Sequence, residues 1–317
     1  MNVLTLLFFL SVAYAYANPG PCSGNCWTHD PGFFQRVSDG KYFRFATGNG
    51  IHVASADSIE GPWKEDGYVF PHGSSIDHPG NDDLWAPDVH YESGQYFMYY
   101  SVSTLGSQDS IIGVATSPSM EVGTWTDHGW IGLSSTSQKP YNTIDANWVR
   151  IGGKPYLNWG SYWHGLYQVP MATPLDLSHQ TPTNIAYNAT GNHDIEASFM
   201  FEHDGWYYLT FSSGKTGDYD QQELAPGDEY RIVVCRSKSG TGGFVDQKGR
   251  SCLESGGTTL LASHGKVYGP GGQGIANDKK LGLVLYYHYT DTSIGLSTDQ
   301  YQFGWNQLRW KDGWPVV

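Results

Sequence analysis

Apolar and polar positions alternate over short distances along this chain, and no stretch keeps the three-to-four-residue spacing of an amphipathic helix. Short aromatic-rich runs bounded by glycine, asparagine and aspartate recur instead, which is the pattern of β-strands and their turns. Four of these runs share one frame, a turn followed by an aromatic strand: DGKYFRFATG from Asp39, SGQYFMYYSV from Ser93, GGKPYLNWGS from Gly152 and DGWYYLTFSS from Asp204. A looser fifth copy, DKKLGLVLYYHY, begins at Asp278. An apolar strand precedes each turn, and a third strand follows in IHVASA, IIGVATS and RIVVCRS; EGPWKEDG, VGTWTDHG and GGFVDQKG suggest a fourth. Five units of about sixty residues predict an all-β fold, a five-bladed β-propeller with four antiparallel strands per blade. A β-sandwich is the competing architecture.

The first seventeen residues carry no charged side chain, are rich in Leu, Phe and Val, and end in small residues. This predicts a secretory signal peptide over 1–17 and a single propeller domain over 18–317. The apolar run is too short for a membrane span. Export fits the even number of cysteines. Cys235 and Cys252 flank a hairpin and Cys22 lies close to Cys26, although three pairings are open on sequence alone. NAT at Asn188 is an N-glycosylation acceptor. A net charge of -13 argues against nucleic acid or an anionic membrane as partner. No feature signals an oligomer, so a monomer is expected. Aromatic residues equal charged ones at 15% each, and a surface rich in aromatic faces suits a neutral, ring-shaped ligand such as a sugar.

In a propeller the innermost strands all run in the same sense along the axis, so equivalent positions ring one mouth of the channel. Asp30, Asp145 and Glu196 precede the hairpin glycines Gly40, Gly153 and Gly205 by ten, eight and nine residues, which places all three at the start of an innermost strand. Asp88 precedes Gly94 by six and should lie deeper, in a structural or substrate-positioning role. Blade five offers no acid, only YGPGGQG. Clustered carboxylates repel, so one stays protonated while another ionises. Glycoside hydrolysis needs that division between acid and base. Glu196, beside Ile195, Ala197 and Phe199, suits the general acid; Asp30, beside His29, suits the base; Asp145 is placed to orient the acid and tune it. Metal ligation or turn capping is the plainer role of any single Asp, but three at corresponding repeat positions favour catalysis.

The ordered motifs HDP (29–31), LWAPDV (84–89), TIDAN (143–147), GSYWHGL (160–166), DIEAS (194–198) and YRIVVCRSKS (230–239) resemble glycoside hydrolase family 43 over nearly the whole mature chain. The resemblance is strongest to its endo-acting α-1,5-L-arabinanases. It implies a five-bladed propeller that hydrolyses neutral arabinan with inversion, Asp30 as base, Glu196 as acid, Asp145 as pKa modulator, and no organic cofactor. Inversion implies base and acid carboxyls about 6.5 to 9.5 Å apart. The resemblance also implies an ion in the channel, with His288 matching the histidine of the last blade; an oxygen-preferring ion such as calcium would complete its shell with water. Ala146 stands where proline is common, and GPGGQG lacks a histidine that many relatives carry. For sugar subsites we expect Trp85 and Trp163 to stack on furanose rings, with His29, Asp88, Asn147 and Ser161 as polar partners. Two alternatives remain: an exo-acting arabinofuranosidase or β-xylosidase of the same fold, and a sugar-binding propeller without catalysis.

Overall fold

The computed structural model describes residues 16–178, 180–222 and 224–317; most of the expected signal peptide lies outside the described residues. Five antiparallel sheets follow one another along the chain. Blade one contains β1 (Gly32–Gln35), β2 (Tyr42–Ala46), β3 (His52–Ala56) and β4 (Lys64–Tyr68). Blade two contains β5 (Trp85–Glu92), β6 (Gln95–Val102), β7 (Ser110–Ser117) and β8 (Thr126–Ser135). Blade three is built from β9 (Asn147–Ile151), β10 (Lys154–Trp159) and β11 (Leu166–Thr173), with β12 (Asp176–Leu177) and β13 (Thr183–Ala186) sharing its outer edge. Blade four comprises β14 (Ile195–His203), β15 (Trp206–Ser213), β16 (Arg231–Ser237) and β17 (Thr258–Leu261). Blade five has β18 (Val267–Asp278), β19 (Gly282–Asp291) and β20 (Tyr301–Gln307).

The near-continuous apolar character of the second and third strands has a direct cause. Each blade is covered on both faces by its neighbours, so consecutive residues of one strand enter different cores. Tyr100 packs between blades one and two with Phe43, Phe45 and Val53. Tyr99 packs between blades two and three with Trp148, Leu157 and Trp159. Likewise Leu209 faces blade three and Tyr208 faces blade five. The fifth core joins Val284 and Tyr286 to Phe33 and Tyr42 of blade one. Burying a large apolar side chain contributes about 1.5–3 kcal/mol, so these five inter-blade cores stabilise the ring. Two-residue turns between first and second strands use paired positive φ, as at Ser93 (50°) and Gly94 (89°), or Asp204 (49°) and Gly205 (67°). Such turns match strand twist, which is why glycine recurs in the repeat.

One detail differs from the sequence expectation. GGFVDQKG is not the fourth strand of blade four; Val245 makes only isolated bridges to Arg236 and Ser251, and the outer strand is β17. The excursion is instead tied by the Cys235–Cys252 disulfide. The C-terminal LRWKDGWPVV forms its own hairpin of β21 (Arg309–Lys311) and β22 (Trp314–Val316), which packs on blade four through Tyr208. The N-terminal segment closes the ring. It runs beside β20, with the Phe303 N–H donating to Cys26 O at 2.8 Å and the Gly20 N–H to Trp305 O at 2.7 Å, and a Cys22–Cys26 disulfide staples it.

Candidate active site

Each innermost strand enters its sheet through the same irregularity. Between Trp85↔Ser101 and Asp88↔Tyr99, three steps on β5 face two on β6, and β14 and β18 repeat this between Glu196↔Ser212 and Phe199↔Thr210 and between Gly271↔His288 and Gly274↔Tyr286. The extra residue adopts positive φ in all five blades: Asp30 (43°), Ala86 (47°), Asp145 (60°), Ala197 (53°) and Gly272 (57°). Four of the five are not glycine, a strained choice of the kind that clusters at functional sites. Asp30 and Asp145 therefore occupy equivalent bulge positions. Glu196 stands one residue earlier, in the row of His29, Trp85 and Ile144, which corrects the expected equivalence of all three acids. The bulge residue precedes the turn glycine by eight in blades two, three and four, so Glu196, nine before Gly205, falls one residue outside it, whereas Asp30 keeps the bulge place at ten because the turn of blade one, from Gln35 to Tyr42, is longer.

Above the bulges lies a cleft of about 700 Å³ lined by His29, Asp30, Trp85, Asp145, Ser161, Trp163 and Glu196, among others. All three carboxylates and both expected tryptophans thus face one space. Glu196 is 9% exposed and both its oxygens are held: Ser161 Oγ donates to Oε2 at 2.5 Å, and the Tyr230 hydroxyl donates to Oε1. Burial pushes the Glu196 carboxyl up to about 7, against the Ser161 hydrogen bond and with the help of the Asp30 and Asp194 charges. Asp145 is also held well above the ordinary carboxylate range, by burial and then by Glu196 and Asp30; its accepted bond from the Ala197 N–H at 2.9 Å favours the ionised form. Two buried neighbours cannot both ionise readily, and the proton belongs on Glu196. Its hydroxyl partners can accept as well as donate, whereas the amide at Asp145 only donates. Asp30 is more open, with 26% of its side chain exposed; Oδ2 accepts from Thr47 Oγ1 at 3.1 Å and lies 3.5 Å from His29 Nε2.

Ser161 therefore serves Glu196 directly as well as lining the cleft. Asp88 and Asn147 do not reach the cleft. They line a separate space of about 40 Å³ deeper in the channel, and their polar atoms are committed there. Asp88 Oδ2 accepts the Trp148 N–H at 2.8 Å and contacts His90; Asn147 Oδ1 accepts the Met200 N–H at 2.9 Å. They tie blades two, three and four together in place of binding sugar. Asn188 lies beyond the cleft wall, lining a separate hollow, with its Oδ1 accepting from the Thr190 N–H and hydroxyl. Sequence reasoning missed Tyr230, although it opens the quoted YRIVVCRSKS, and Leu105, which is 96% exposed on the cleft rim.

His288 does not fit the expected ion. His29, Asp30 and His288 offer ligand atoms within 4.8 Å of one another. Yet His288 Nδ1 accepts the Asp30 N–H at 3.1 Å, which places the hydrogen of the neutral ring on Nε2 and leaves no lone pair for a cation. Nε2 is itself buried without a hydrogen-bond partner, and burial pushes the imidazole down to about 3. A Cβ on Gly272 would lie 2.6 Å from Nδ1, so the His288 ring fills the space a side chain at 272 would need.

The chain is 63% identical to a probable arabinan endo-1,5-α-L-arabinosidase C of Aspergillus terreus, over 99% of this chain and 99% of that one. Among solved structures it is similar to a Bacillus subtilis arabinanase, with a TM-score of 0.81 and 30% identity over 93% of this chain and 99% of the other. An exo-1,5-α-L-arabinanase from a bovine ruminal metagenomic library matches with a TM-score of 0.81 and 26% identity, over 96% and 99% of the two chains. Residues 67–315 match the glycosyl hydrolases family 43 model. With the acids on a five-bladed ring and that match over most of its length, this chain belongs to glycosyl hydrolase family 43.

Proposed function

We propose that this chain is an endo-1,5-α-L-arabinanase that cleaves internal links of arabinan by a single inverting displacement. The observation that carries the reading is the contrast between a buried, raised Glu196 and an open Asp30 in one cleft, on a chain so close to a fungal arabinan endo-hydrolase. Asp30 takes a proton from a water as that water attacks the anomeric carbon; Glu196 gives its proton to the departing glycosidic oxygen. Asp145 holds the strand beside Glu196 and adds negative charge that keeps its proton on. His29, Trp85 and Trp163 supply the cleft walls against which furanose rings pack. The two disulfides and the residues 1–17 support secretion.

The exo reading keeps the same chemistry and is favoured by the likeness to the ruminal exo-arabinanase. Incubation with linear arabinan separates the two: early oligomers of mixed length with a steep fall in viscosity mark endo action, whereas arabinose or one short product from the outset marks exo action. Absence of any product would leave a sugar-binding propeller.

A further inference from the structure

The bulge residues are held by a ring of hydrogen bonds that runs around the channel. The Ala86 N–H donates to Thr47 Oγ1 at 2.9 Å, Asp145 N–H to Ser101 Oγ at 3.2 Å, Ala197 N–H to Asp145 Oδ2 at 2.9 Å, and Gly272 N–H to Ser212 Oγ at 3.0 Å. Asp30 N–H completes the ring by donating to His288 Nδ1 at 3.1 Å. Ser101, Ser212 and His288 face Trp85, Glu196 and Gly271 across their sheets, and the Thr47 N–H donates to His29 O. Each acceptor on a second strand thus fixes the bulge of the next blade. In blade three the matching residue is Gly160, which has no side chain, and the Asp145 carboxylate fills the place.

We infer that His288 is a positioning residue for Asp30: it caps the strained Asp30 backbone as Thr47, Ser101 and Ser212 cap their neighbours, and it serves no ion. The surroundings are built for that task. The ring is fully buried, stacks on Tyr301 at 4.4 Å and 15°, and meets His29 edge-on at 5.3 Å. On its other side Tyr230, the partner of Glu196, lies nearly parallel at 6.1 Å. Gly272 leaves room for the ring, since any Cβ there would collide with it. Among the described residues the Asp30 N–H, at φ 43°, has no other acceptor, so the backbone that carries the carboxylate rests on the imidazole while Thr47 Oγ1 holds the carboxylate itself.

The inference rests on Asp30 as the base, and the test separates the two. Asparagine carries an acceptor where Nδ1 stands, glutamine where Nε2 stands, and leucine carries none. His288→Asn should keep kcat on arabino-oligosaccharides within about threefold, while His288→Gln and His288→Leu lose about a hundredfold with KM within twofold, the loss expected of a reacting group displaced by about 1 Å. Thermal melts confirm that each variant is folded; should His288→Leu not fold, the Asn and Gln pair decides. Activity retained by Gln and lost by Asn, with bound calcium lost from the Asn variant in metal analysis, would overturn the inference in favour of an ion ligand. Wild-type kcat in His288→Leu would overturn it outright. Asp30→Ala is the control: if it turns over normally the base assignment fails, and if it is inert while His288→Leu is fully active only the positioning role fails.

Discussion

The Asp145 carboxylate accepts the backbone N–H of Ala197 at 2.9 Å, so the acid of blade three is tied to the residue next to the acid of blade four. Glu196 and Asp145 therefore move as one unit. Their mutual repulsion is a property of the fold, present before any substrate enters.

Replacing Asp145 with asparagine removes a negative charge beside Glu196, and the Glu196 carboxyl then ionises more readily. The alkaline limb of the kcat profile should move to lower pH, with kcat reduced about a hundredfold because an amide holds the Ala197 strand less firmly. A pH–rate series on a soluble arabino-oligosaccharide checks the direction; a limb that stays in place would detach Asp145 from the tuning of Glu196.

Tyr230→Phe keeps the ring and deletes the hydroxyl on Glu196 Oε1. A hydroxyl donating to a carboxylate favours the charged form, so its loss should raise the Glu196 pKa and carry the alkaline limb upward, opposite to Asp145→Asn. We expect kcat to fall about tenfold, and shifts of opposite sign in the two variants are the discriminating result.

How much of this was legible in the sequence depends on what each feature needs from the chain. The propeller was, because inter-blade packing requires aromatic second strands and two-residue turns, and both leave a repeating local mark from Asp39 to Asp278. The three acids were legible to within one residue. Glu196 was misaligned because the longer turn of blade one, from Gln35 to Tyr42, hides in the residue count, so ten, eight and nine residues read as one position when only Asp30 and Asp145 share it. Asp88 and Asn147 read as sugar ligands because nothing local reveals that their partners, Trp148 and Met200, lie on neighbouring strands. Tyr230 reaches Glu196 from the start of the third strand of its own blade, across β15, and His288 reaches Asp30 across the junction of blades five and one, which only the closed ring brings together.

Glu196→Ala removes the proton donor to a poor leaving group. Hydrolysis of arabinan should fall about a thousandfold, while an aryl arabinoside with an acidic phenol loses far less, because that leaving group departs without protonation. Equal losses on both substrates would argue against a proton-donor role.

The raised Glu196 carboxyl also makes the fold sensitive to pH. Its folded pKa, about 7, lies above the ordinary 4.5 of the unfolded chain. Below 4.5 both states hold the proton and neither is favoured. Between 4.5 and 7 the unfolded chain releases it while the folded chain keeps it, so stability falls as pH rises and levels off above 7. At about 1.4 kcal/mol per unit, the loss is on the order of 3 kcal/mol. Glu196→Gln keeps the volume and the Ser161 contact but cannot ionise. The variant should lack most of the wild-type decline in melting temperature between pH 4.5 and 7.5 and should be the more stable protein at pH 7.5, while remaining inactive. Melting curves at four pH values test this; parallel declines in both proteins would mean that the cost of charging this site lies with Asp145, the other buried carboxylate of the pair.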